Sequence, residues 1–278
     1  MTTMNPTSNP TPGKTKKPKL AIFDADGLLF YASWSLRTQM TNIGKMAGKK
    51  KVDEIITAIL NRTEADYFVG FYGVSSSETF RHAWATVKPY KGGRKSEPWQ
   101  EFFKPIIKQH YTDKWNFYGT RQLEADDAVI IAHEIYKDDY EIIMVGEDKD
   151  MKSNLPGFKQ FNPRTNQMII NHEVDCRKFI YLQMLHGDSS DHITGVQGVG
   201  DKAPIVKQIQ ELENPSQEEL FTLVRDKYIE VYGEDYLYHM IENYVLLKMM
   251  RKPSFDYPEN VVLQKVEKKK SILKSLNI

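Results

Sequence analysis

Four groups of acids decide what chemistry this sequence can do: Asp24 with Asp26; Glu124 with Asp126 and Asp127; Asp148 with Asp150; and Asp188 with Asp191. Each group falls where a strand pattern ends, where a helix pattern begins, or beside a glycine-rich loop. Asp148 and Asp150 lie two apart, so in extended chain both face one side. Glu124 and Asp127 share a helix face, and so would Asp188 and Asp191 if their segment is helical. Any one pair is explained by helix capping, because acids suit the first turn. Four such groups are not. Brought together they would repel unless cations neutralised them, and carboxylate oxygens suit a hard divalent ion such as Mg²⁺ or Mn²⁺. Two such ions about 3.5–4 Å apart are the arrangement that hydrolyses phosphodiesters.

Two further stretches suit a nucleic-acid backbone. Gly195-Val196-Gln197-Gly198-Val199-Gly200-Asp201-Lys202 follows the last acids directly. Glycines at 195, 198 and 200 permit close approach, and the next helix, opened by Lys202, offers amides and a positive dipole end to phosphate. Earlier, Arg81, Lys88, Lys91, Arg94, Lys95, Lys104, Lys108 and Lys114 alternate with Trp84, Tyr90, Trp99, Phe102 and Phe103. Such interleaving of cations and aromatics suits a strand groove.

The elements that must position these residues alternate. Lys19–Phe23 is a short apolar run ending in acid, followed by helical patterns over 28–46 and 52–64. Strands are expected at 67–72, 115–118 and 140–145, a helix at 124–136, and two short extended pieces at 158–161 and 167–170 that form an edge hairpin or neighbouring strands. Alternation predicts an α/β fold with a mainly parallel central sheet flanked by helices. From Glu173 to about Met250 the pattern is helical throughout, which predicts a C-terminal helical lobe. The expected divisions are a disordered leader at 1–18, an α/β core at 19–186 with a basic arch at 78–114, a helical lobe at 187–255 and a basic tail at 256–278.

Composition sets the outer limits. A chain of 278 residues with 40% hydrophobic and 27% charged side chains is long enough for a buried core. The single Cys176 excludes internal disulfides and thiolate zinc clusters. With no run of about 18 apolar residues and no apolar signal core, a cytoplasmic location away from membrane is expected.

The pieces Phe23-Asp24-Ala25-Asp26-Gly27-Leu28-Leu29-Phe30, Leu123-Glu124-Ala125-Asp126-Asp127, Asp148-Lys149-Asp150 and Gly187-Asp188-Ser189-Ser190-Asp191 resemble, in order, the acidic motifs of the 5′ nuclease superfamily. That family includes flap endonucleases, the 5′-nuclease domain of bacterial DNA polymerase I and bacteriophage 5′→3′ exonucleases. The glycine stretch is similar to its helix–three-turn–helix, which grips duplex and often takes a monovalent cation, here K⁺. The resemblance covers about Lys19 to Met250 and implies a PIN-like fold and a phage-type enzyme of replication or primer removal, working in the host cytoplasm. Its substrates would be DNA 5′ ends, flaps or branches, with RNA–DNA hybrids and replication proteins as further partners. Asp24 would be a catalytic carboxylate, and Pro89-Tyr90-Lys91-Gly92-Gly93-Arg94-Lys95 looks like the gateway stretch. There Lys91 would steady the scissile phosphate and Tyr90 would stack near a terminal base. Two departures stand out. No acid follows the second strand, where the chain reads Val69-Gly70-Phe71-Tyr72-Gly73-Val74, and no Arg stands near Tyr31. Asp26 could compensate in part for the first. The missing acid leaves open a weakly catalytic, junction-binding accessory protein; a PIN-type nuclease acting on RNA is the other alternative.

Overall fold

A computed structural model of the chain describes residues 16–74, 79–153 and 155–250. The tail expected at 256–278 and all but the last three residues of the expected leader lie outside them. In chain order the elements are β1 (Lys19–Asp24), α1 (Ala25–Trp34), α2 (Asn42–Thr63), β2 (Tyr67–Gly73), α3 (Phe80–Trp84), α4 (Pro98–Trp115), β3 (Tyr118–Thr120), α5 (Ala125–Tyr136), β4 (Glu141–Val145), β5 (Phe158–Asn162), β6 (Gln167–Asn171), α6 (Glu173–His186), α7 (Pro204–Glu211), α8 (Gln217–Tyr232) and α9 (Tyr236–Leu247).

The six strands run in the order β3-β2-β1-β4-β5-β6. All pairings are parallel except the β5–β6 hairpin at the edge. β1 is central because both its faces are apolar: Ala21 and Phe23 meet α1, α2 and α4, while Leu20 and Ile22 meet α5. Burial on two faces is why β1 reads as an unbroken apolar run rather than an alternation. Chain connections leave β1 for β2 on one side, and β4 joins it on the other. A crevice forms outside the carboxyl ends of the strands at such a reversal. Beyond the sheet, α6, α8 and α9 pack around Met184, Leu220, Val224, Tyr228 and Val245. No helix among the described residues is long and apolar enough to cross a membrane.

Two expected elements moved. The pattern over 28–46 is not one helix. α1 stops at Trp34, and α2 restarts under a Thr41 cap whose hydroxyl accepts from Gly44 N at 3.2 Å. A Cβ on Gly44 would lie 1.9 Å from the Gln39 carbonyl oxygen, so only glycine allows that close restart. The strand expected at 115–118 is displaced because α4 continues through Trp115, until Asn116 turns left-handed at φ 52°. Of the two arrangements expected for 158–161 and 167–170, the antiparallel edge hairpin is the one formed.

Candidate active site

Asp24 ends β1 and caps α1, accepting from the Asp26 amide at 3.2 Å. Asp148 and Asp150 follow β4, and Asp148 Oδ1 accepts from the Asp150 amide at 2.8 Å. Glu124 and Asp126 open α5. These acids, with Asp26 and Asp191, line one cavity of about 800 Å³ together with Tyr90, Lys91, Arg94 and Lys95. Residues separated by more than a hundred positions in the chain therefore meet at the crevice.

Their electrostatics divide them. Burial, then the charges of Asp26 and Asp148, push Asp24 up to about 8. Burial, with Asp148 and Asp188 nearby, raises Asp150 to about 7, although Gln183 Nε2 donates to its Oδ1 at 2.7 Å. Asp126 is raised by burial and by Glu124 and Asp127, and Asp148 mainly by burial. These four lack sufficient positive charge. Glu124 behaves oppositely: burial resists its ionisation, but Arg81 and Lys91 outweigh that and lower its pKa. Asp188 is lowered too, since Ser190 and the Lys149 ammonium, 3.0 Å away, overcome its burial.

Four expectations need correction. Arg81, expected to face DNA, is fully buried. Its guanidinium forms a fork on Asp127 at 2.6 and 2.8 Å, reaches Glu124 at 3.1 Å, and donates to the carbonyls of Leu246 and Lys248. Asp127 is enclosed with it. One oxygen each from Glu124, Asp126 and Asp127 lies within 4.8 Å of the others. Yet both Asp127 oxygens are held by Arg81, so Asp127 orients α5 instead of facing the cavity. Tyr90, expected to stack on a base, is 4% exposed; its hydroxyl bonds Glu124 and Asp191, each at 2.8 Å. A ring so held has no free face for a base in this conformation. Asp188 and Asp191 sit on a turn, not a helix, closed by reciprocal hydrogen bonds between Asp188 and Ile193 at 2.8 Å.

The segment 85–97 straps α3 to α4 across these acids. Thr86 and Val87 amides donate to Glu242 of α9 at 2.6 and 2.9 Å. Further on, the Lys91 ammonium bonds Glu124 and lies 3.7 Å from Asp191, while Arg94 reaches Asp191 at 2.5 Å. Lys88 and Lys95 are exposed. In the glycine loop, Gly195 is buried, another departure from the DNA-facing role expected of it. Its φ is +62°, and a Cβ there would lie 2.4 Å from the Gly187 nitrogen. Gly198, Gly200 and Lys202 are exposed at the tip, anchored by buried Val196 and Val199.

Sequence reasoning missed Gln183, Lys149 and Glu242, which grip Asp150, Asp188 and the strap. Gln183 lies on the last turn of α6, four residues before Gly187, and nothing in its spacing separates it from a solvent-facing glutamine.

No family model matches the chain. DNA polymerase I of Bacillus subtilis is 27% identical over 219 residues, covering 72% of this chain and 24% of that protein, so the chain spans about a quarter of that relative's length. The 5′-3′ exonuclease of Buchnera aphidicola subsp. Schizaphis graminum is 24% identical over 95% of this chain and 96% of its own. Among solved structures, a bacteriophage T5 flap endonuclease complex with DNA and metal ions superposes with a TM-score of 0.57 at 19% identity, covering 94% of this chain and all of that one. That likeness establishes the fold. With the acidic motifs in order and meeting at the carboxyl edge of the sheet, the chain is similar in sequence and in fold to these exonucleases and flap endonucleases.

Proposed function

We propose that the chain is a divalent-metal-dependent 5′ nuclease hydrolysing DNA phosphodiesters near 5′ ends, as a 5′→3′ exonuclease with flap endonuclease activity. What supports this above all is the set of Asp24, Asp126, Asp148 and Asp150, four carboxyls in one cavity with raised pKa values and too few cations beside them. An all-oxygen donor set held close to neutrality by its own crowding fits Mg²⁺ or Mn²⁺, and its extent suits two ions. Those four would hold the ions, with Asp26, Glu124, Asp188 and Asp191 acting through water. Bound there, the ions would ease ionisation of an attacking water and offset charge on the departing 3′ oxygen.

The chain's own groups do the rest. Gln183 and the amide of Asp150 fix the two carboxylates that follow β4. Lys91 and Arg94, paired with Glu124 and Asp191, would exchange those carboxylates for a phosphate. Tyr90 holds Glu124 and Asp191 together from below. Amides around Gly198 and Gly200, with Lys202 and Lys88, would seat the duplex, and carbonyls of that loop would take K⁺. The substrates are DNA with 5′ ends, flaps or branches, and RNA–DNA hybrids in primer removal during phage-type replication in the host cytoplasm.

Asp148→Asn combined with Asp150→Asn is expected to lower cleavage of a labelled 5′ flap by about a thousandfold or more, on the scale of losing catalytic charge stabilisation. Flap affinity in EDTA should stay unchanged or tighten, and circular dichroism should confirm the fold. Cleavage at the parent rate would refute the reading. The accessory-protein alternative rests on the acid missing near Gly73. It predicts binding without metal-dependent cleavage in the parent chain, which the same assay detects.

A further inference from the structure

The end of β2 is where the acid is missing, and the cavity wall there is unusual. Gly73 occupies the place. Its amide donates to Asp26 Oδ2 at 3.0 Å, and its carbonyl accepts from the Lys108 ammonium of α4. A Cβ at position 73 would approach Asp26 Oδ2 to 3.1 Å, so the bare glycine is what lets the α1 carboxylate lie against the strand end. One residue thus brings a carboxylate from α1 and a lysine from α4 to the same spot. Burial raises the Asp26 pKa, and the charges of Lys108 and Lys104 draw it down without overcoming that burial.

Lys104 stands one turn before Lys108 on α4 and lines the same cavity. Residues four apart on a helix share a face, and like charges so placed repel. Among the described residues no ion pair or hydrogen bond engages the Lys104 ammonium, and the Lys108 ammonium bonds only the Gly73 carbonyl. Asp26 lies in the field of both, and Glu101 contributes a weaker negative charge from the same helix. Burial lowers the Lys108 pKa; Asp26 pulls it back and Lys104 depresses it again. Two ammonium groups one turn apart thus line the cavity wall beside Asp26 and Glu101, and neither carboxylate pairs with the Lys104 ammonium. Buried α4 residues Trp99, Phe103, Ile107 and Tyr111 hold the helix against α1 and α2, so the pair rests on a rigid wall.

We infer that Lys104 and Lys108 form a phosphate subsite on α4, which takes a backbone phosphate of the substrate strand beside the one that reacts. The inference rests on the nuclease reading and names which wall of the cleft receives that phosphate. An ammonium needs no ideal geometry to bind phosphate, and both lysines can swing toward it without disturbing the core.

The test is binding of a 5′-flap DNA in EDTA, over a range of salt, by the parent chain and by Lys104→Ala with Lys108→Met. The variant is expected to bind about tenfold or more weakly. The slope of log affinity against log salt should shrink by about 1 to 2. Flaps carrying one neutral methylphosphonate at successive positions should locate the contact. At one position the replacement weakens the parent but not the variant. Mn²⁺ calorimetry without DNA serves as the second readout. An unchanged salt slope, with only the Mn²⁺ affinity altered, would mean that the lysines merely balance Asp26, and would overturn the subsite while leaving the nuclease reading intact. Failure of the parent itself to bind flap DNA would overturn both.

Discussion

Arg81 is the residue on which the acidic helix turns. Its fork on Asp127, with carbonyls below it, joins α3, α5 and the chain after α9 at one buried point. The pair is fully enclosed, so removing one partner strands a charge in a poorly solvated site. Arg81→Met is expected to cost about 3–5 kcal/mol. Urea unfolding measures it, and a loss below about 1 kcal/mol would contradict the role. Here the sequence was only half legible. The acids declared themselves by their spacing at strand and helix junctions. Arg81 did not, because a cation in a run of cations carries no mark of burial, and it reads the same as Lys88. Tyr90 misled for a related reason: an aromatic among lysines suits a base-stacking groove, yet its hydroxyl found two carboxylates instead.

At the level of elements, close contact between β2 and the residues after α4 sets the sheet edge. A Cβ on Gly70 would lie 2.5 Å from the Phe117 ring, which packs on Phe23 and Tyr111. Gly70→Ala is therefore expected to destabilise by about 1–3 kcal/mol through overpacking. Thermal unfolding checks this, and adding Phe117→Leu should recover part of the loss; an unchanged melting temperature in the single variant would be inconsistent with the contact. β1 and β4 were readable because strand length and apolar content agree with their burial, whereas the hairpin's second strand leaves Met168 and Ile170 exposed. The break between α1 and α2 was hidden: it depends on Thr41 and Gly44 stopping and restarting a helix whose apolar spacing continues across the gap. The extension of α4 through Trp115 was hidden as well, since a Trp-Asn-Phe stretch fits a strand until tertiary packing decides.

For the whole molecule, the crowded carboxyls couple folding to protons and to ions. Asp24 and Asp150 keep protons to about 8 and about 7, whereas an unfolded aspartate releases its proton near 4. Between these limits the folded chain binds more protons than the unfolded one, so metal-free stability falls as pH rises from about 4 to about 8. Glu124 and Asp188, whose values are lowered, act in the opposite sense but only below about pH 4.5. The melting temperature without divalent ions should thus decline between about pH 5.5 and pH 8, and saturating Mg²⁺ should raise it more at the upper end, because binding displaces those protons. Calorimetry in EDTA and in Mg²⁺ decides, and a metal-free melting temperature that climbs with pH would be the contrary result. The stitch from Met250 bears on this balance. Its amide donates to Asp127 Oδ1 at 2.9 Å, and the other oxygen of Asp127 accepts from the amide of Glu124. A tug on the peptide just past α9 is therefore transmitted, through a single carboxylate, to the first turn of α5. Whatever pulls or steadies that exit can retune the grip of the cleft without entering it.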